Sequence, residues 1–394
     1  MLLAEALLLC VAARSAFAFC VDPGWCMLSH ARIEKGVVSA RGPILQDMNP
    51  SHQPSELAIR LVDRRNMIHP DDAGDPLNFA RVVATDGCTD PRPGVYIYKQ
   101  PYYPENRPHT FGDDVLVMFR LLYSWGLHTV DPTHLHIVLP ARWNATAGAF
   151  TGFRVHDDLY RVISTNPVTF VDANRTSPCY ETLLTGFSDN TMFANRRRFT
   201  MPEVLAFRAR VLRSVGLATR DLHVGAGRCK IALIQKDVAR ASHKYSFGNV
   251  DELEAALRAR SGCSVDVYTW STLTFSQQVA AMHDKTVAVA LPGSDLLNCF
   301  FMPPNSAVIV AESFCDLGCI PEGSVAGSIE LEGYYAMAPY HRIVLYKGAD
   351  VGGGGLAWSA DWSRLTWSPQ HLIEAVANAT AALDNNMMLR YHRF

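Results

Sequence analysis

The chain has no basic excess: Lys plus Arg number 36 against 38 Asp plus Glu, a formal charge of −2. That balance argues against a general nucleic-acid binder, which needs cationic surface to meet phosphates. Beyond the first twenty residues no apolar run reaches bilayer-spanning length, so a polytopic membrane fold is excluded. Ten cysteines in 394 residues are too few for a disulfide-dense scaffold, and the close pairs Cys20/Cys26 and Cys315/Cys319 have no second pair or partnered His at zinc-ligand spacing. No Gly-x-Gly-x-x-Gly turn follows a predicted strand, which removes the main support for a dinucleotide-dependent oxidoreductase. The run Gly352 to Gly355 is four glycines in a row and reads as a loop. There is no Asp-x-Asp pair to hold a divalent ion: Asp237 stands alone, and Asp266 is the one carboxylate of Val265-Asp266-Val267. What is left is a globular composition, 48% hydrophobic and 19% charged, long enough for two or three domains.

Several features indicate the secretory pathway. The opening MLLAEALLLCVAARSAFA has an apolar run from Ala6 to Ala13, then small residues at Ala16 and Ala18 with the spacing a signal peptidase accepts. Glu5 makes its n-region poor, so residues 1–18 are expected to be either a signal peptide or a short uncleaved anchor, the one route to a membrane. Asn144, Asn174 and Asn378 each begin a glycosylation sequon. Cys20 and Cys26 flank a Pro-Gly turn, and Cys315 and Cys319 flank Asp-Leu-Gly; both spacings can close a small disulfide loop. Removal of the leader leaves nine cysteines, an odd number, so at least one is expected to be free or intermolecular.

Residues 19–105 are rich in Pro, Gly and Asp and read as strands and loops, including a strand over Gly94–Tyr98. Asp113 to Trp125 then shows helical spacing closed by Gly126, and His134 to Leu139 reads as a buried strand. Pro202 to Val215 predicts a helix whose outer face carries Arg208, Arg210 and Arg213. From Cys229 onward strands are expected at 230–234, 265–268, 286–291 and 306–310. Helices are expected at 250–260, 275–283 and 294–301, with a last one over 369–384. Such alternation implies crossover connections and a parallel, Rossmann-like sheet.

Ligands of open parallel sheets bind at the carboxyl ends of the strands. Two strand-end loops stand out. The first follows Ile234 and carries Lys236, Arg240, His243 and Lys244, a cationic cluster in an otherwise balanced chain. In the second, Leu291-Pro-Gly-Ser-Asp295, Gly293 permits close approach and Ser294 can cap the helix that follows. Cations and free amides together suit a diphosphate. On the other side, Asp113 and Asp114 form the best carboxylate pair for base work, although acidic residues there also suit a helix start. The tryptophans Trp270, Trp358, Trp362 and Trp367 are expected mostly in packing rather than stacked on sugars.

The order of these motifs resembles glycosyltransferase family 61. The resemblance rests on the basic strand-end loop, on Asn249-Val-Asp-Glu-Leu253, on Gly262-Cys-Ser-Val265 and on Ser271 to Gln278. It continues through Pro292 to Pro304, a stretch that includes Asn298. Upstream, Asn106-Arg-Pro-His109-Thr-Phe-Gly-Asp113-Asp114 is similar to a run in the protein O-mannose β-1,4-N-acetylglucosaminyltransferase branch, and Cys179 to Gly186 and Phe207 to Leu217 add landmarks. The likeness covers roughly residues 90–350.

The resemblance implies an α/β protein of GT-B type, two Rossmann-like domains facing a cleft: an acceptor-side domain over 19–217, a nucleotide-sugar domain over 218–350, and a Gly-rich loop with a C-terminal helix over 351–394. It implies inverting transfer of a GlcNAc- or xylose-type sugar from a UDP-sugar to a glycan or glycoprotein hydroxyl in the ER or Golgi lumen. No metal or other cofactor is expected. Asp114 or Asp113 would be the base and His109 an acceptor-side residue. Lys236, Arg240, Lys244, Asn249, Gly293, Ser294, Asp295 and Asn298 would form the donor site. Two departures stand out: many members have His-Gly-Ala-Gly where this chain has Pro292-Gly-Ser-Asp295, and lysines replace arginines at 236 and 244. A secreted transferase-like protein that binds a glycan or nucleotide without turning it over is the alternative expectation.

Overall fold

The computed structural model describes residues 18–21, 25–34, 37–42, 44–46, 56–60, 79–101, 107, 110–141, 156–172, 175–186, 200–219, 229–236, 246–291, 294–304, 306–312, 342–347, 356–358 and 364–384. The chain forms two compact units, Met1–Arg197 and Arg198–Phe394. The protein is α/β throughout. Among the described residues no helix is long and apolar enough to cross a membrane.

The first unit is built on ten strands: β1 (Ala18–Val21), β2 (Trp25–Glu34), β3 (Val37–Arg41), β4 (Ile44–Gln46), β5 (Glu56–Arg60), β6 (Phe79–Thr85), β7 (Arg92–Tyr98), β8 (Leu135–Pro140), β9 (Thr169–Val171) and β10 (Tyr180–Gly186). They make one sheet in the order β5-β6-β3-β2-β10-β7-β8-β9, with β1 and β4 to the side of β2. Strands β10, β7, β8 and β9 are mutually parallel, whereas β2 pairs antiparallel with both β10 and β3. The unit therefore differs from a wholly parallel Rossmann sheet. The sheet is mixed: β3 pairs parallel with β6 and β1 with β4, while β5 pairs antiparallel with β6. The core under the sheet gathers Leu28, Ile33, Val38, Tyr96, Tyr98, Val138, Tyr180 and Leu183.

Between β7 and β8 the chain makes a π-helical turn, Thr110–Val115, that continues as α1 (Leu116–Ser124). Seven consecutive residues of α1, Leu116 to Leu122, are buried, so this helix is core rather than a surface amphipath. It ends in a Schellman pattern. Gly126, at φ 68°, donates to Tyr123 O at 3.0 Å, and Leu127 donates to Leu122 O at 2.7 Å. A single turn, α2 (Asp157–Tyr160), lies between β8 and β9.

The second unit begins with α3 (Met201–Ser214), which starts in a capping box formed by Thr200 and Glu203. Five strands, β11 (Lys230–Ile234), β13 (Ser264–Tyr268), β14 (Val287–Ala290), β15 (Ala307–Glu312) and β16 (Arg342–Lys347), form an all-parallel sheet in the order β13-β11-β14-β15-β16. Three short strands, β12 (Ser246–Phe247), β17 (Leu356–Trp358) and β18 (Arg364–Trp367), form a separate sheet. Helices α4 (Val250–Arg260), α5 (Phe275–Met282) and α6 (Pro369–Asp384) and two 3-10 helices, Trp270–Thr272 and Ser294–Phe301, also belong to the unit.

The parallel strands are continuous apolar runs because both faces are covered. On one face Ile231, Leu233, Val287, Val289 and Ile309 share a core with Leu253 and Leu257 of α4 and with Leu372, Ala375, Val376 and Ala379 of α6. The C-terminal helix is therefore integral to this unit. A second layer joins α3, α5 and the 3-10 helix through Phe207–Phe300 and Phe275–Phe301 edge contacts.

That layer corrects the reading of an Arg-rich outer face on α3. Only Arg213 is exposed; Arg208 and Arg210 are buried. Arg208 donates from Nε to Phe301 O at 3.2 Å and from Nη2 to His283 O at 3.1 Å, so its guanidinium satisfies carbonyls at the ends of two helices. The long apolar stem of arginine makes such burial compatible with a charged head.

Three disulfides tie the described residues: Cys20–Cys26, Cys88–Cys179 and Cys229–Cys263. The first is the pair the Pro-Gly spacing suggested, across register partners of β1 and β2. The second joins the loop after β6 to the approach to β10, and the third joins the segments that lead into the neighbouring strands β11 and β13. Among the described residues Cys299 is free and buried; burial pushes it far above the ordinary thiol range. Cys315 and Cys319 lie outside the described residues. Replacing Cys229 and Cys263 together by Ser releases a closed loop and should cost about 2–4 kcal/mol, read as a lower urea midpoint with an unchanged slope.

Candidate functional site

The strand order of the parallel sheet defines where a ligand fits. After β11 the chain crosses to β13 on one side, then returns to β14 on the other side of β11. The carboxyl ends of β11 and β14 therefore flank the topological switch point, where open α/β sheets leave a crevice. Both loops singled out from the sequence leave from these two ends. Lys236 lies two residues beyond Ile234, and the 3-10 helix that follows β14 opens at Ser294 and Asp295.

The second unit brings Lys236 and Asp295 into electrostatic contact. Burial pushes the Asp295 carboxyl above the ordinary carboxylate range, and the Lys236 charge partly opposes that rise. Gln235, between the strand and Lys236, is fixed on both sides. Its backbone N–H donates to Tyr268 O at 2.8 Å, and its amide exchanges two hydrogen bonds with the backbone of Phe247. This anchors the start of the basic loop against β12. Asn298, buried, donates to Asp295 O at 3.3 Å and so stiffens the same helix start.

Asn249 is used differently. Its Oδ1 accepts from Trp367 N at 3.1 Å and its Nδ2 donates to Trp367 O at 2.8 Å, so both amide atoms fasten β18 beside the start of α4. That engagement makes Asn249 a staple between segments. Arg240, His243, Lys244 and Gly293 lie outside the described residues, as does the Ser294 side chain. Trp270 and Trp367 are buried, in keeping with packing roles; Trp362 and the Trp358 side chain lie outside the described residues.

In the first unit the carboxyl end of β7 holds a charge cluster. Lys99 follows Tyr98 directly; its backbone N–H donates to Val138 O at 3.2 Å and extends the ladder to β8. Its side chain is buried and ion-paired with Asp114, which is fully buried in the π-helical turn. Tyr160 of α2 donates to the other Asp114 oxygen at 3.2 Å. Burial and the Asp114 charge hold the Tyr160 phenol well above its ordinary range, so it stays a donor. At the exposed edge Arg107 pairs with Asp158, also in α2. Thus Asp114 does not cap α1, whose first turn has no acidic residue and no side-chain cap. His109 and the Asp113 side chain lie outside the described residues.

Lys99 and Tyr160 were not singled out in the sequence. A lysine directly after an apolar parallel strand is a usable signal, because that edge is where polar side chains converge. Tyr160 carries no such signal, since it lies 46 residues from Asp114 and its turn has no distinctive pattern.

Of the three sequons, Asn378 is described. It is exposed on α6, with Thr380 donating back to Val376 O at 3.0 Å. Asn144 and Asn174 lie outside the described residues.

Fold and geometry define the class: an α/β protein with a doubly wound parallel domain and a cation beside a helix start at its switch point. The chain belongs to glycosyltransferase family 61; the family model described as Glycosyltransferase 61 matches residues 96–309, more than half of the chain. It is therefore a glycosyltransferase by family. No curated protein matches it. Family membership and the three disulfides together fit a protein of the secretory lumen or a secreted one.

Proposed function

We propose that the protein is an inverting, metal-independent glycosyltransferase of GT-B type. It moves a GlcNAc- or xylose-type sugar from a UDP-sugar to a protein- or glycan-linked hydroxyl in the ER or Golgi lumen. The observation that carries this reading is family 61 membership joined to Lys236 and the Ser294–Asp295 helix start at the switch point of the parallel sheet. Lys236, with Arg240 and Lys244, neutralises the leaving diphosphate, and the amides after Gly293 add hydrogen bonds to it. Lysine meets phosphate as a point charge, without the bidentate grip of arginine.

Inversion needs a base within about 3 Å of the acceptor hydroxyl. Asp114 is enclosed by Lys99 and Tyr160, so we assign the base to Asp113, in the same turn, with His109 on the acceptor side.

A thermal-shift series with UDP, GDP and CMP, with and without manganese, tests the reading. A ligand that binds the folded state alone stabilises it by about 2.7 kcal/mol at a hundredfold excess over its dissociation constant. Selective stabilisation by UDP without manganese supports a transferase. No shift with any nucleotide favours the glycan-binding alternative, for which the Asp295 carboxylate in the turn is the motivating feature.

Asp295 also makes the pH dependence specific. Its proton affinity is raised in the folded state, so at neutral pH its anion opposes a bound diphosphate, and the opposition fades as pH falls through the raised pKa. UDP affinity should therefore rise on acidification. Asp295→Asn should bind UDP roughly tenfold more tightly at neutral pH, about 1.4 kcal/mol. Titration calorimetry across pH checks this. Because UDP titrates too, the difference between variant and wild type isolates Asp295, and parallel curves for the two would exclude this role.

A further inference from the structure

The Lys99–Asp114–Tyr160 cluster is a fully enclosed ion pair with a third donor. A buried ion pair is weak evidence for stability, since an apolar pair of similar volume often packs as well or better. Its value lies in geometry: a carboxylate held from both oxygens has one position. Here that carboxylate belongs to a π-helical turn, a rare conformation in which the backbone is wider than an α-helix and which often marks functional sites. The one-turn helix α2 grips the segment twice, through Asp158 to Arg107 on one side and Tyr160 to Asp114 on the other. All of this sits at the carboxyl end of β7, within the parallel part of the first sheet.

We propose that Lys99 and Tyr160 are positioning residues for sugar transfer: by clamping Asp114 they fix the backbone of the π-helical turn, whose neighbouring residue Asp113 is the base proposed above. This rests on the transferase reading given above. Neither residue touches substrate; each acts through Asp114. The Lys99 ammonium, which also donates to Gln100 O at 3.4 Å, ties the turn to the strand end. The Tyr160 hydroxyl ties it to α2.

The test compares wild type with Tyr160→Phe, Lys99→Met, Lys99→Arg, Asp113→Asn and Asp114→Asn, in full-length secreted protein. Transfer is measured per UDP-binding equivalent, so that a lower folded fraction does not count as lower turnover. Tyr160→Phe removes one oxygen and preserves packing, which keeps the test valid if Lys99→Met fails to fold. The expected result is a kcat about ten- to a hundredfold lower in Tyr160→Phe and Lys99→Met, with KM for the UDP-sugar unchanged. Lys99→Arg, which keeps the charge, should recover part of the loss. A merely structural role lowers the melting temperature but leaves kcat per binding site intact; that outcome overturns the proposal. So does an Asp113→Asn protein that turns over normally while Asp114→Asn is dead, because Asp114 is then the base. If the wild type neither binds UDP nor transfers any sugar, the transferase reading itself fails and takes the positioning role with it, an outcome distinct from an active wild type with unaffected variants.

Discussion

Asp113→Asn should lower sugar transfer by roughly 10²- to 10⁴-fold, the range that a positioned general base contributes, while UDP still raises the melting temperature as it does in wild type. The two halves of this expectation come from different groups. The proposed base lies in the π-helical turn, and the proposed donor groups are Lys236 and the Ser294 helix start. Asparagine keeps the size and much of the hydrogen bonding of aspartate but takes up no proton at working pH. The leaving diphosphate is still stabilised, so slow hydrolysis of the donor should persist when transfer has stopped. A stopped assay with radiolabelled donor separates the two products. Loss of UDP binding in the same variant would mean that the change has damaged the fold, and normal transfer would return the base role to another residue.

Lys99→Met should destabilise the protein by about 3–5 kcal/mol, the cost of leaving a buried carboxylate without its counter-charge. Lys99 is 3% exposed and Asp114 0%, so water cannot take the place of the ammonium. The Tyr160 hydroxyl is a poor substitute, since it cancels no charge. The informative variant is the double replacement Lys99→Met with Asp114→Leu. It replaces both charges with an apolar pair of similar shape and should recover part of the lost urea midpoint; the Tyr160 hydroxyl, left without its acceptor, holds back about 1–3 kcal/mol. Transfer should stay low, because the restored core no longer grips the turn through a carboxylate. Stability and activity would then part company in one molecule. A double variant as unstable as the single one would show that the pair matters to the fold in its own right.

The second unit was the more legible half, for a physical reason. Its strands are buried on both faces, so Lys230–Ile234 and Val287–Ala290 read as unbroken apolar runs, and the intervening helices carry amphipathic patterns with cap residues at their starts. The sequence limits for Val250–Arg260 and Pro369–Asp384 coincide with the observed helices. What it could not show was helix type. Ser294–Phe301 reads as a helix, and its 3-10 winding is not legible in an apolar spacing that an α-helix would share. In the first unit the strands are legible one by one, yet their pairing joins residues far apart, as β3 with β6 or Cys88 with Cys179. Nothing local encodes such pairs. The site divides in the same way. Strand-end loops announce themselves by position, so Lys236 and Asp295 were found together. The environment of Asp114 was hidden because its partners come from β7's end and from α2, and polarity alone suggested a cap. Arg208 and Arg210 misled for the related reason that polarity predicts exposure only when no carbonyl waits inside.

The three disulfides carry a consequence for how the chain is made. The bridges are Cys20–Cys26, Cys88–Cys179 and Cys229–Cys263, so none encloses or crosses another, and each lies within one unit. During synthesis the N-terminal unit has all four of its bridge cysteines out before Cys229 is added. Taking these six cysteines in order of appearance and joining each to the next yields the native set. A chain emerging into an oxidising compartment can therefore lock its first sheet while the second is still being translated, and needs no reshuffling among these six thiols to finish.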